Sequence, residues 1–239
     1  MKINTQKIKG IILDVDGTIY YQLPVRVIMA IYLISAYLFS PIYMLRIIRT
    51  IKIYRRQQEF LRNYSPCEIP LPEQQLLMTA EKTGESIEFV QKAVDEWMNK
   101  KPLPLLKYFL RPGFHSFCQK LKDMGMRLGV YSDYPCNEKL EHMYLKDMFQ
   151  SIVSSFDSDV MKFKPDSKGF LNCSSQLGLE PFEILYIGDR RSVDGAGALA
   201  AGMQVVLVGG ISKKNTSDDI PRYRSFFVIG EEIFKMADL

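Results

Sequence analysis

The stretch Ile8-Lys9-Gly10-Ile11-Ile12-Leu13-Asp14-Val15-Asp16-Gly17-Thr18 constrains this chain more than any other, because an apolar run stops there at two carboxylates and a glycine. Such a run reads as a strand buried on both faces that delivers Asp14 to the end of a sheet. Side chains alternate along an extended chain, so Asp14 and Asp16 fall on one side of it, and Gly17 leaves the backbone free to turn away. Two carboxylates in one small site repel each other unless a cation neutralises them, and an oxygen-only site of this kind suits Mg²⁺. Taken alone, the stretch also fits a plain strand followed by an acidic turn.

Three distant segments shift that balance. Arg127-Leu128-Gly129-Val130-Tyr131-Ser132-Asp133 is a second apolar strand ending in a hydroxyl. Lys164-Pro165-Asp166-Ser167 offers a lysine held by a proline turn ahead of a helix, and the KPD context favours Lys164 over the nearby Lys162. Ile184-Leu185-Tyr186-Ile187-Gly188-Asp189 is a third strand ending in an acid, with Asp194 at the start of a helix of small residues. In this order the four segments resemble the signature of the haloacid dehalogenase superfamily: DxDGT, then Ser or Thr, then Lys, then GDxxxxD.

The resemblance implies an α/β fold with a Rossmann-like, doubly wound parallel sheet, and a phosphatase-type hydrolase with a helical cap inserted between the first and second motifs. It implies Asp14 as the nucleophile that forms an aspartyl-phosphate. Asp16 becomes the acid and base that serves the leaving alcohol and then the attacking water. Ser132 and Lys164 would bind the phosphoryl oxygens. Mg²⁺ would be held by the Asp14 side chain, the Asp16 main-chain carbonyl and Asp189, with Asp194 supporting it from behind. Dehalogenating and phosphonate-cleaving relatives lack the acid at the Asp16 position, so phosphomonoester hydrolysis leads, and sugar-phosphate mutase chemistry uses the same residues. Asp133 stands where asparagine is often found, which leaves its contact with substrate open. Arg190 and Arg191 read first as surface charges.

Composition sets the outer limits. At 239 residues the chain can hold one α/β core plus a small inserted domain. Cys67, Cys118, Cys136 and Cys173 show no CxxC pairing, which suits reduced thiols and a cytoplasmic setting. A net charge of +4 is mild and does not call for nucleic acid. No signal peptide is expected, since Asp14 lies where its apolar segment would be.

After Thr18 the character of the sequence changes. Residues 27 to 45 are nineteen uncharged, mostly apolar residues, enough for a helix of about 28 Å, near the thickness of a bilayer core. A single crossing would strand Asp14 on the opposite side from Ser132, Lys164 and Asp189, and no second comparable run brings the chain back. The run is therefore expected either as a helix, or a hairpin broken at Pro41, buried in the cap or an oligomer interface, or as the same element lying in one leaflet. The basic stretch that follows, Arg46, Arg49, Lys52, Arg55, Arg56 and Arg62, matches a peripheral anchor on an anionic membrane, and equally a solvated helix face.

The segment Ser65 to Pro72 reads as an extended proline-rich connection, and Glu73–Lys82 and Ser86–Asn99 as two helices. The expected division is a core of residues 1–20 and 109–239 with an all-helical cap over 21–108. Further along, 137–148 and 167–177 read as helices, 204–208 and 226–229 as strands, and 231–237 as a closing helix. Three functions remain in play: a Mg²⁺-dependent phosphatase of a lipid-linked phosphate at a membrane, a soluble small-metabolite phosphatase or phosphomutase, and a non-catalytic membrane-associated scaffold. The oligomeric state is not legible.

Overall fold

The computed structural model of the chain describes residues 7–63, 69–210 and 220–234. Six strands, β1 (Gly10–Leu13), β2 (Arg127–Ser132), β3 (Ser151–Ser154), β4 (Ile184–Gly188), β5 (Gln204–Val208) and β6 (Arg222–Tyr223), form one sheet in the order β3-β2-β1-β4-β5-β6. Every pairing is parallel. Parallel strands are covered on both faces, which is why β1 and β4 are buried at every position and read as unbroken apolar runs. The chain reverses its direction of winding between β1 and β4, and in open α/β sheets that crevice, at the carboxyl ends of the strands, is where ligands bind.

Helices α6 (Phe114–Asp123), α7 (Asn137–His142), α8 (Lys168–Gln176), α9 (Ala196–Ala200) and α10 (Phe226–Phe234) flank the sheet. Between β1 and β2 the chain instead builds a helical layer: α1 (Gln22–Ala36), α2 (Pro41–Leu61), α3 (Leu71–Thr83), α4 (Ile87–Val94) and α5 (Leu103–Leu106). The apolar run folds as a hairpin of α1 and α2. Proline cannot continue a helix but suits the first position of the next one, and Pro41 takes that place. The turn is closed by Tyr37 against Tyr43, ring centroids 5.0 Å apart, and by Tyr37 against Trp97 at 5.9 Å. Among the described residues no helix is long and apolar enough to cross a membrane.

Two elements differ from expectation. Phe226–Ile229, read as a strand, opens α10, because Phe226, Ile229, Gly230 and Ile233 are buried at helical spacing and Phe226 packs edge-on against Phe114 at 4.9 Å. A short apolar run does not reveal its period. The sixth strand is instead Arg222–Tyr223, paired to Leu207–Val208. The expected helix over 137–148 ends at His142, where Tyr144 takes a positive φ of 57° and a short 3-10 turn follows. Of the expected connection from Ser65 to Pro72, residues 65–68 lie outside the described residues, and Leu71 and Pro72 begin α3. The last part of the expected closing helix, 235–237, also lies outside them.

Close approach of α8 to the sheet depends on Gly169, where a Cβ would lie 2.1 Å from Cζ of the fully buried Tyr131. Gly169→Ala is expected to lose about 1–3 kcal/mol of stability through overpacking, read as a melting temperature lower by several degrees. An unchanged melting temperature would show that Tyr131 has room to shift.

Candidate active site

The sheet brings all the motif positions to one edge. Asp14 follows β1 directly, its N–H donating to the Ile187 carbonyl at 2.9 Å, so its place is fixed by the β1–β4 pairing. Ser132 is the last residue of β2 and Asp189 follows β4. Lys164 reaches in from the loop after β3. Gly17, with a φ of 94°, turns the chain under Asp189: a Cβ there would sit 2.4 Å from Asp189 Oδ2. Arg111 pins the same turn by donating to the Gly17 carbonyl at 2.7 Å.

At the centre is the Lys164 ammonium, 3% exposed, which donates to Asp14 Oδ1 at 2.6 Å and to Asp194 Oδ1 at 2.8 Å. Thr18 donates to the other oxygen of Asp14 at 2.8 Å. Asp194 also accepts from the Tyr186 hydroxyl at 3.1 Å and from the Arg190 N–H at 2.9 Å, so both its oxygens are engaged within the protein. Ser132 Oγ is buried and has no hydrogen-bond partner among the described residues.

The charges do not balance. Asp14, Asp189 and Asp194 each offer an oxygen within 4.8 Å of the others, and among the described residues the Lys164 ammonium pairs with two of them, Asp14 and Asp194. Burial first, and then the neighbouring Asp194 and Asp189 charges, push the Asp14 carboxyl up to about 8 despite Lys164. Burial and the Asp194 charge raise Asp189 to about 6. For Asp194 burial works the same way but is outweighed by the Lys164 charge and by its hydrogen bonds, which hold it below the usual range. Burial disfavours the Lys164 ammonium, and the facing carboxylates more than reverse that. Three carboxylates crowded this closely, with surplus negative charge and oxygen donors only, fit a hard divalent cation.

Asp16 stands apart from this cluster. It accepts from Lys139 Nζ at 2.6 and 2.8 Å and from the Tyr20 hydroxyl. Burial would raise its carboxyl, but the Lys139 charge and hydrogen bond outweigh it and hold Asp16 ionised. Lys139 and Tyr20 are site residues that motif reading passes over. Tyr20 sits two residues beyond the DxDGT pattern, and Lys139 lies one turn into α7, where no spacing rule points to the first carboxylate pair.

The C-terminal end of α2 closes over these loops. Arg62 pairs with Asp133 at 2.5 Å and also donates to the Lys164 carbonyl, Gln58 donates to Asp133 at 3.0 Å, and Glu59 pairs with Arg190 at 3.0 Å. Asp133 is therefore turned toward α2 and its own Lys164 N–H rather than left open, and Arg190 is a paired residue at the cavity rim. Between the helical layer and the sheet edge lies a cavity of about 920 Å³ that includes Asp14, Asp16, Ser132, Lys164, Asp189 and Asp194 in its wall. The same wall includes apolar side chains, among them Met29 and Leu33 of α1, Ile48 and Ile51 of α2, and Trp97 and Leu106.

Comparison with known proteins identifies the family and the fold. The sequence profile of the haloacid dehalogenase-like hydrolases matches residues 11–208. A glyceraldehyde 3-phosphate phosphatase from Methanopyrus kandleri is 36% identical over 92 residues, which is 37% of this chain and 39% of that protein. The chain thus spans about two-fifths of the length of that relative. Among solved structures, a HAD phosphatase from Thermococcus onnurineus superposes with a TM-score of 0.63 at 19% identity over 95% of this chain and 98% of its own. The hydrolase YfnB from Bacillus subtilis, solved with magnesium bound, gives 0.64 at 16% identity over 95% and 98%. At such identities the likeness is one of fold.

Removing Lys164 leaves buried carboxylates without their cation. Lys164→Met, measured in EDTA, is expected to cost about 3–5 kcal/mol in urea unfolding. Adding Asp194→Asn should restore part of that loss, and additive losses would contradict the coupling.

Proposed function

The chain belongs to the haloacid dehalogenase-like hydrolase family, and we propose that it is a Mg²⁺-dependent phosphomonoester hydrolase working through an aspartyl-phosphate on Asp14. The observation that carries this reading is Ser132 Oγ, a buried hydroxyl without a partner among the described residues, at the end of β2 in the wall of the cavity that also contains Asp14 and Lys164. A buried polar atom left unpaired costs about 1–3 kcal/mol, and a phosphoryl oxygen is the partner its surroundings suit.

In this reading Asp14 attacks the phosphorus, and the bond to the leaving alcohol breaks. Lys164 and Ser132 receive the phosphoryl oxygens, which is where the transition state spreads its charge. Asp14 and Asp189 with the Asp16 main-chain carbonyl would hold the metal, and Asp194, already engaged by Lys164 and main-chain N–H groups, would support it. The metal supplies charge neutralisation between the nucleophile and an anionic substrate. Asp16 protonates the leaving alcohol and then takes a proton from the water that attacks the aspartyl-phosphate. Its contact with Lys139 holds it in the ionised form that accepts the water proton, so donating to the alcohol requires that contact to shift.

Residues 21–108 act in this reading as the cap that selects substrate, and the cavity they cover has both charged and apolar side chains in its wall. That mixture, with the hairpin around it, favours an amphiphilic, lipid-linked phosphate. The outer face of the hairpin is exposed at Leu23, Leu38, Phe39, Ile42 and Leu45, Phe39 to 94%. Apolar side chains concentrated on one tip next to a basic helix match a peripheral contact with an anionic, cytoplasmic membrane face. The second reading, a phosphatase or mutase of small phosphorylated metabolites, is favoured by the substrate named for the Methanopyrus kandleri relative.

Phosphate release should be followed over a panel of phosphomonoesters that includes lipid phosphates in mixed micelles. The expected outcome is turnover that needs Mg²⁺, stops with EDTA and is lost in Asp14→Asn, with lipid phosphates preferred. Preference for small metabolites would favour the second reading, and turnover untouched by Asp14→Asn would overturn the first. In flotation with anionic liposomes the wild-type protein is expected to rise with the vesicles, and Phe39→Asp/Ile42→Asp to stay at the bottom. A wild-type protein that stays at the bottom would remove the membrane contact from the account.

A further inference from the structure

Of the eight cationic side chains that line the cavity, four are committed. Arg62 pairs with Asp133, Arg190 with Glu59, Lys139 with Asp16 and Lys164 with Asp14, while farther along α2 Arg46 pairs with Glu85. Four others are not. Arg26 of α1 and Lys52, Arg55 and Arg56 of α2 line the same cavity, and among the described residues no hydrogen bond or ion pair engages any of them. Lys52 shares a helical face with Arg55 and Arg56 at three- and four-residue spacing, an arrangement of like charges that weakens a helix. Folding gains nothing from it. Burial first, and then the charge of Arg26, push the Arg55 guanidinium below its ordinary value, so the two cations are near enough to repel.

Their height above the floor follows from the hairpin. α1 leaves the site just after Tyr20, which bonds to Asp16, and α2 returns to it at Arg62, which bonds to the Lys164 carbonyl. At a rise of about 1.5 Å per residue, Arg26 and Arg55 stand within roughly 10 Å of those anchors, and Leu33 and Ile48 roughly 10 Å farther out. Arg55 and Asp16 line the same cavity. Along the two helices Arg26, Arg55 and Arg56 come nearest the floor, Lys52 and Met29 stand at about the same height, and Leu33 and Ile48 lie farther out, toward the exposed hairpin tip.

We propose that Arg26, Lys52, Arg55 and Arg56 form a second anion subsite that binds an internal phosphodiester in the leaving alcohol, between the scissile phosphomonoester and an apolar chain. The proposal rests on the phosphatase reading and narrows its substrate class. Guanidinium forks match the paired non-bridging oxygens of a phosphodiester, and the apolar side chains of the same wall, Met29, Leu33, Ile48 and Ile51, are left to the lipid chain. A simple alkyl phosphate would leave the four cations without a partner.

Two measurements test it. In mixed micelles, kcat/KM is compared for dioctanoyl phosphatidylglycerophosphate, which has the internal diester, and for dioctanoyl phosphatidic acid, which lacks it. The wild-type ratio is expected to favour the diester substrate at least tenfold. Arg55→Gln/Arg56→Gln should collapse the ratio toward one, mainly through KM, and Arg55→Lys/Arg56→Lys should retain most of it. Separately, binding of dioctanoyl phosphatidylglycerol, which has the diester and no monoester, is measured by calorimetry on Asp14→Asn protein with and without the glutamine substitutions, after matching melting temperatures. At least tenfold weakening is expected. Absence of binding, or binding and ratio both unmoved by the substitutions, would overturn the subsite. If no phosphate is released from any substrate the phosphatase reading fails, and the calorimetry still decides whether the subsite exists.

Discussion

The Lys164 ammonium, held between Asp14 and Asp194, is the contact on which the rest depends. An isolated charge this deep would be forced toward its neutral form, so each member of the trio is tolerable only because of the others. The trio also joins separate parts of the chain: the end of β1, the loop after β3 and the segment after β4. A sheet edge that would otherwise consist of independent loops becomes one rigid floor. Its three carboxylates still outnumber the ammonium held between two of them, and such a cluster of oxygen donors is compatible with a divalent cation.

The helical layer does two jobs with two faces. The inner faces of α1 and α2 wall the cavity, and the final turn of α2 clasps the loops after β2, β3 and β4 through Arg62, Gln58 and Glu59. The outer face and tip stay apolar and uncovered. A helix buried on both sides would need a partner layer, and a solvated one would be polar outside; this hairpin is neither. Its two faces are consistent with one ligand that is polar at the floor and apolar at the exit.

Much of the core was legible because its signals are local. Ile11 to Leu13 and Leu185 to Ile187 are unbroken apolar runs ending in acids, and each became a central parallel strand with its acid at the carboxyl end. The motif positions Asp14, Ser132, Lys164, Asp189 and Asp194 needed only their order and context to be picked out. What escaped depends on packing between distant segments. Lys139 meets Asp16 across 123 residues of sequence, and nothing in its own neighbourhood marks it. For Asp133 the sequence left contact with substrate open, and the structure shows it bound by Gln58 and Arg62 from α2. Phe226 to Ile229 has a composition that serves strand and helix equally, and only the faces of Phe114 and Phe117 decide for helix. The Pro41 break in the apolar run was readable, but whether its faces would be covered was not, since that depends on how much surface the core has to offer.

The most direct test is a rapid-quench experiment with Mg²⁺ and a turnover substrate, reading intact mass and then peptide mass on the acid-quenched protein. The account predicts a transient species heavier by one phosphoryl group, mapping to Asp14 and missing in Asp14→Asn. Steady turnover with no phosphorylated protein at any time, or a phosphoryl group mapping to another residue, would contradict it.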